Sequence, residues 1–204
     1  PLVSSLMDIV KCYWKGSENM TPETEIVSLE EFLEMDKGKD RLEYFNGEVI
    51  YLPSPSVDHQ RILLNIAAEF RNYFRGKPCE AFISPLDLWL INTEKPLNVK
   101  VQPDLMVICD KTGLRENSYY GVPALIIEII SPSNENHDRI RKYNIYMDFG
   151  VKEYWMINPK LKTIEIYVFE KSEYKQNGVY KGCNSAVSQS FNGLEIRLED
   201  IFPE

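Results

Sequence analysis

Residues 123–133 read Pro-Ala-Leu-Ile-Ile-Glu-Ile-Ile-Ser-Pro-Ser. Residues 124–130 form a short, almost wholly apolar run rich in β-branched side chains, bounded by Pro123 and by Ser131-Pro132-Ser133. Such a run reads as a strand buried on both faces. One carboxylate, Glu128, interrupts it. A buried carboxylate without partners costs several kcal/mol, so Glu128 must be protonated, ion-paired or bound to a cation. The alternative is a strand-end acid that is salt-bridged or reaches solvent.

Residues 99–109, VKVQPDLMVIC, repeat the pattern upstream. Alternation at Val99 and Val101 gives way to a continuous apolar run, and Asp104 sits at the change, directly after Pro103. Proline breaks ladder pairing, so this is a strand start, an edge or a bulge, where side chains are re-aimed. Asp104 by itself also reads as a turn residue. Two consecutive apolar strands joined by the polar loop 110–121 can bring Asp104 and Glu128 to one sheet edge. Two carboxylates there repel each other unless a cation lies between them, and oxygen ligands completed by water suit Mg²⁺ or Mn²⁺.

Working outward, Ser28-Leu-Glu-Glu31 is a capping box that opens a short helix ending before Gly38. Asn46-Gly47 between two apolar runs is a hairpin signal, with Glu48 just past the turn. Over residues 57–75, Ile62, Leu63, Ile66, Phe70 and Phe74 fall at helical spacing. His59 lies in that helix's first turn, as a metal-site neighbour or a polar surface residue. Glu69 shares a flank with Ile62 and Ile66, facing inward or solvated. Residues 79–91 read as a strand or bent strand pair interrupted at Pro85. Residues 135–149 read as a helix with an inner face of Ile140, Tyr143, Ile145, Tyr146, Met147 and Phe149, closed by Gly150. Asp138 and Lys142 form an i,i+4 pair on it, read either as a surface salt bridge or as a lysine reaching the acids. Two strands, a Tyr/Gly-rich hairpin and a last short strand finish a mixed α/β or α+β order, a central sheet flanked by helices.

At 204 residues the chain is sized for one domain with a substantial core. Met20-Thr-Pro-Glu resembles a translational start, so residues 1–19 read as loosely attached; the division expected is an N-terminal extension, 1–24, and a single domain, 25–204. Residues 2–14 contain Asp8 and Lys11 and lack the basic start of a signal peptide. No apolar run approaches the roughly 20 residues that span a membrane. The four cysteines are far apart and there are two histidines, which makes a zinc site improbable; free thiols in a reducing cytoplasm are the simple expectation. A net charge of −8 argues against capture of nucleic acid by the whole surface, so such a role needs a local basic patch.

Taken together, Gln102-Pro-Asp104, Leu125-Ile-Ile-Glu128-Ile-Ile-Ser-Pro-Ser133, Asp138, Lys142, Tyr143, Gly150-Val and Glu153-Tyr-Trp155 resemble the Uma-two family within the PD-(D/E)xK nuclease superfamily. Asn46-Gly-Glu48 and Ser54-Pro-Ser…His59 resemble that family's N-terminal half, and the likeness spans roughly residues 25–200. It implies a restriction-endonuclease-like fold with a four- or five-stranded sheet, a divalent metal (Mg²⁺ or Mn²⁺) and DNA phosphodiester hydrolysis. Asp104 matches the PD aspartate and Glu128 the (D/E) position. The lysine expected two residues later is Ile130, and Lys142 on the following helix would replace it. Glu69 and Glu48 are candidates for an additional acid. Removing either principal acid is expected to abolish turnover and leave the fold intact or stabilised. Cutting both strands of a duplex implies a homodimer.

Two other readings stand beside the endonuclease: a non-catalytic nucleic-acid-binding or regulatory module that keeps the fold, and a metal enzyme acting on RNA or a small phosphorylated ligand. A basic surface made by Arg139, Arg141 and Lys142 with Arg71 or Arg75 would favour nucleic acid. A closed, uncharged cleft would favour a small ligand, and the lack of any cleft a binding module.

Overall fold

A computed structural model describes residues 26–37, 40–92, 97–131 and 137–202, without the side chains of His137 and Asp138. The expected extension, 1–24, lies outside them.

The stretch that opened the reading is β8 (Leu125–Ile129), buried at every position. Its neighbours β6 (Leu105–Ile108) and β9 (Glu153–Asn158) are equally buried. Together with β3 (Glu80–Ile83), β10 (Thr163–Glu170) and β11 (Glu173–Lys181) they form a six-stranded sheet in the order β11-β10-β9-β8-β6-β3. Only β8 and β9 run parallel within it. Alternation sorts the side chains to two faces. Leu105, Val107, Leu125, Ile127, Trp155 and Ile157 pack on one side against α2 (Val57–Phe74). Met106, Ile108, Ile126, Tyr154 and Met156 pack on the other.

A second sheet covers that other face. β1 (Leu42–Phe45), β2 (Glu48–Tyr51), β4 (Asp87–Asn92), β5 (Leu97–Val101) and β7 (Ser118–Tyr120) pair in the order β2-β1-β5-β4-β7. Leu88, Leu90, Val99 and Val101 meet the first sheet there. The resemblance implied one sheet of four or five strands; the structure packs a six-stranded and a five-stranded sheet face to face. The run 79–91 is divided between them: β3 joins one sheet, β4 the other, and the cis Ser84–Pro85 peptide lies between. β12 (Ser185–Val187), β13 (Glu195–Arg197) and α4 (Leu198–Ile201) complete the α2 side.

The local signals appear as read. Ser28 caps α1 (Leu29–Met35) in a full capping box. Asn46 and Gly47, both at positive φ, turn β1 into β2 as a two-residue hairpin requires. The helix expected over 135–149 differs. Residues His137–Lys142 form a π-helical turn before α3 (Tyr143–Asp148). The wider turn breaks the 3.6-residue period. As a result Ile140, expected inside, is 61% exposed, whereas Lys142 is 4% exposed.

The expectation of free thiols fails for two cysteines. Antiparallel pairing of Glu80 with Ile108 sets Cys79 opposite Cys109, and the two are joined in a disulfide. Cys183 is free and exposed; Cys12 lies outside the described residues. Among the described residues no helix is long and apolar enough to cross a membrane.

Candidate active site

The pairing that builds the sheet also builds the site. Leu105 pairs with Ile127 across β6 and β8. Extending that register by one residue sets Asp104 opposite Glu128, and opposed residues present their side chains to the same face. The Ile129 N–H donates to Asp104 Oδ2 at 2.8 Å, which ties the aspartate to the neighbouring strand. Both acids are nearly buried, at 8% and 3% exposure, and both line one cleft of about 740 Å³.

Each carboxylate has partners of its own. His59, in the first turn of α2, places Nε2 3.0 Å from Asp104 Oδ2. Ser56 Oγ accepts from the His59 N–H and caps the helix, which holds that turn in place. Lys142 Nζ lies 3.0 Å from Glu128 Oε1 and 2.9 Å from Glu43 Oε1. Tyr146, one turn further along α3, donates its hydroxyl to Glu128 Oε1 at 2.7 Å. Burial first, and then the charge of Glu128, hold that hydroxyl well above the usual phenol range, so it stays a donor. Each acid therefore has a donor of its own, which offsets part of the repulsion between them.

Glu43 was not foreseen. It lies on β1, is wholly buried, and accepts from the Gln102 N–H at 3.1 Å as well as from Lys142. Its sequence signal was faint, a single acid inside the apolar arm Leu-Glu-Tyr-Phe of the hairpin. Gln102 extends the network, accepting from Arg41 Nε at 2.9 Å and donating to Asp87 at 2.7 Å. The second sheet thus supplies the acid that faces the lysine.

The two acids proposed as extra ligands lie elsewhere. Glu48 pairs with Arg141 at 2.8 Å, because the hairpin turn directs it to the π-turn's flank rather than to the cleft. Glu69 is ten residues beyond His59, about 15 Å along a helix, and its charge acts on Arg197. The Asp138 side chain lies outside the described residues. The basic surface is also relocated: Arg139 is tied to Glu165 and Arg141 to Glu48. The cleft's lip carries Arg41, Arg61, Lys160 and Lys162 instead. Lys160 and Lys162 are exposed on the β9–β10 turn, where Asn158 Oδ1 accepts from the Leu161 N–H. With Lys142, the described residues lining the cleft include five cationic side chains and four carboxylates, in a chain whose net charge is −8.

The chain's sequence matches a family model over residues 29–199, that of Uma2, described as "Putative restriction endonuclease". The chain belongs to the Uma2 family. Two proteins of Synechocystis sp. strain PCC 6803, both described as uncharacterized, are similar to this Uma2 chain. slr1290 is 27% identical over 143 residues, 69% of this chain and 73% of its own length. sll1609 is 27% identical over 148 residues, 71% and 81% of the two lengths. A crystal structure from Anabaena variabilis, described as "a putative nuclease belonging to DUF820", superposes with a TM-score of 0.70 at 21% identity, covering 86% of this chain and 97% of that one. The Uma2 chain has the restriction-endonuclease-like fold, and family and fold together support a nuclease.

One stretch that carried the resemblance has a structural role. In Glu153-Tyr-Trp155, the Glu153 carboxylate is fully buried on β9. It accepts from Trp155 Nε1, Ser188 Oγ and the Ser190 N–H at 2.7–2.9 Å. This acid fastens the β12 region to the sheet and faces away from the cleft.

Proposed function

We propose that this Uma2 chain is a divalent-metal-dependent endonuclease that hydrolyses DNA phosphodiester bonds in the PD-(D/E)xK manner. The observation that carries the reading is that Asp104 and Glu128 line one cleft, with the Lys142 ammonium 3.0 Å from Glu128. The residues fit a hydrated Mg²⁺ or Mn²⁺. Asp104 Oδ2 receives two donors, and among the described residues no donor reaches Oδ1. The described residues contain no group of three His, Cys, Asp or Glu side chains able to hold a metal. A hydrated Mg²⁺ needs only one or two carboxylates. Asp104 and Glu128 would hold the ion, which when bound polarises the scissile phosphate and acidifies a water.

The chain's own groups account for the rest. Lys142 holds a positive charge where negative charge grows on the phosphate, and Glu43 keeps it there. Tyr146 fixes the rotamer of Glu128. Arg41, Arg61, Lys160 and Lys162 sit where neighbouring phosphates would pass, and the described residues lining the cleft include no Phe, Tyr or Trp on which a base would stack. Contact through the backbone is therefore favoured. A homodimer belongs to the same proposal, since two strands need two sites.

The test is nicking of supercoiled plasmid and cleavage of short duplexes with Mn²⁺ or Mg²⁺, alongside Mn²⁺ calorimetry and light scattering for the oligomer. Wild type is expected to cut and to bind metal, and Glu128→Gln and Asp104→Asn to do neither. Wild type that binds no metal at millimolar concentration and cuts nothing overturns the reading. One observation favours a non-catalytic binding module as second reading: Lys142 is closed between two carboxylates. Tight duplex binding without cleavage under any metal would establish it.

A further inference from the structure

His59 has no place in the chemistry so far, yet its setting is specific. It is 9% exposed, at the N-terminal turn of a helix whose Ile62 and Leu63 are anchored in the core. A carboxylate can only accept, so the 3.0 Å contact with Asp104 Oδ2 requires the proton on Nε2. Nδ1 is buried and has no hydrogen-bond partner among the described residues. A buried polar atom without a partner costs about 1–3 kcal/mol. Packing alone would not select an imidazole here, because Leu would fill the volume without that cost.

The gain lies at Asp104. The terminal torsion of aspartate is broad and roughly two-fold, so the Ile129 N–H alone leaves the carboxylate plane loosely set. With His59 donating from α2 and Ile129 from β8, Oδ2 is held from two elements, and Oδ1, on a side chain that lines the cleft, receives no donor among the described residues. We infer that His59 is a positioning residue: it turns Asp104 so that Oδ1 is preorganised to bind a divalent cation. The inference rests on the metal reading above. Partners that orient ligating groups are worth about 10–100-fold in metal affinity.

The experiment is Mn²⁺ calorimetry on wild type, Asp104→Asn, His59→Ala and His59→Gln, with the imidazole ¹⁵N spectrum of the wild type. Glutamine places an N–H donor near the position of Nε2. Loss of binding in Asp104→Asn, an affinity about 10–100-fold weaker in His59→Ala and its recovery in His59→Gln are expected. The neutral His59 ring is expected as the Nε2–H tautomer, assigned against His137, the one other histidine. Wild-type affinity in His59→Ala while Asp104→Asn binds nothing overturns the role of His59 and leaves the metal reading intact. Unchanged binding in Asp104→Asn overturns the metal reading and this inference with it. If His59→Ala does not fold, the wild-type spectrum decides, and an Nδ1–H tautomer refutes the geometry.

Discussion

Replacing Lys142 by methionine keeps most of the stem's volume and removes only the ammonium. That charge sits 2.9 Å from Glu43 and 3.0 Å from Glu128, with all three side chains at most 5% exposed. At an effective dielectric constant of 20, each ion pair is worth about 5–6 kcal/mol before the cost of desolvation. Most of that gross energy offsets taking three charges out of water, and removing one partner of a buried ion cluster typically costs about 3–5 kcal/mol. For a chain of this length the expected fall in Tm is about 6–20 °C at neutral pH. Two buried carboxylates without a counter-charge take up a proton on folding. The folded variant then binds more protons than the unfolded one, so its deficit grows as the pH rises and shrinks as it falls. Urea unfolding followed by tryptophan fluorescence at pH 7.5 and pH 5 measures both effects. A deficit below about 1 kcal/mol at pH 7.5 that does not change at pH 5 would refute the placement of the ammonium between the acids. A double-mutant cycle with Glu43→Gln should return a coupling of about 1–3 kcal/mol.

The hydroxyls of Tyr146, Tyr167 and Tyr174 are held above their ordinary value of about 10, chiefly by burial. Their contribution is complete below pH 10 and disappears as the pH climbs beyond it, so tyrosinate absorbance should appear together with alkaline unfolding rather than before it. Tyr146→Phe should cost about 1.5–3 kcal/mol by removing the hydrogen bond to Glu128 and soften the alkaline slope. Glu153→Ala removes the acceptor of four donors, two of them in buried bonds, and should cost about 1–3 kcal/mol for each buried donor left unpaired, with a shifted Trp155 emission and no effect on Mn²⁺ affinity in the folded fraction. Reducing or removing the Cys79–Cys109 bond, which closes a separation of 30 residues, should cost about 3–4 kcal/mol in urea; quantitative thiol trapping in intact cells shows whether it forms in the compartment where the protein works. Lys160→Glu with Lys162→Glu should weaken duplex binding uniformly across sequences and flatten its salt dependence by about one unit for each phosphate left without its lysine.

Much of this protein was legible in the chain. The all-buried β8, the Asn46-Gly47 hairpin, the Ser28 capping box and the α2 stripe are local signals, set by pleat, turn and helix periods that act over a few residues. Asp104 and Glu128 stood out because a carboxylate inside an apolar strand has no ordinary structural reason to be there, and the strand register then brings them opposite one another. What no local pattern could specify is which distant elements face that pair. Glu43 enters the cleft because a second sheet packs on the first, although it stands 99 positions before Lys142 in the chain. Lys142 turns inward and Ile140 outward because a π-turn replaces the α-helical period there. Glu48 and Glu69 look as eligible as Glu43 in the sequence, yet hairpin direction and helix rise carry them away. Cys79 and Cys109 met through the β3–β6 register, a pairing that sequence distance conceals. Local chemistry determined the elements and the two principal acids; the packing of two sheets and one helix decided the company those acids keep, because charge partners inside a protein are selected by proximity in space.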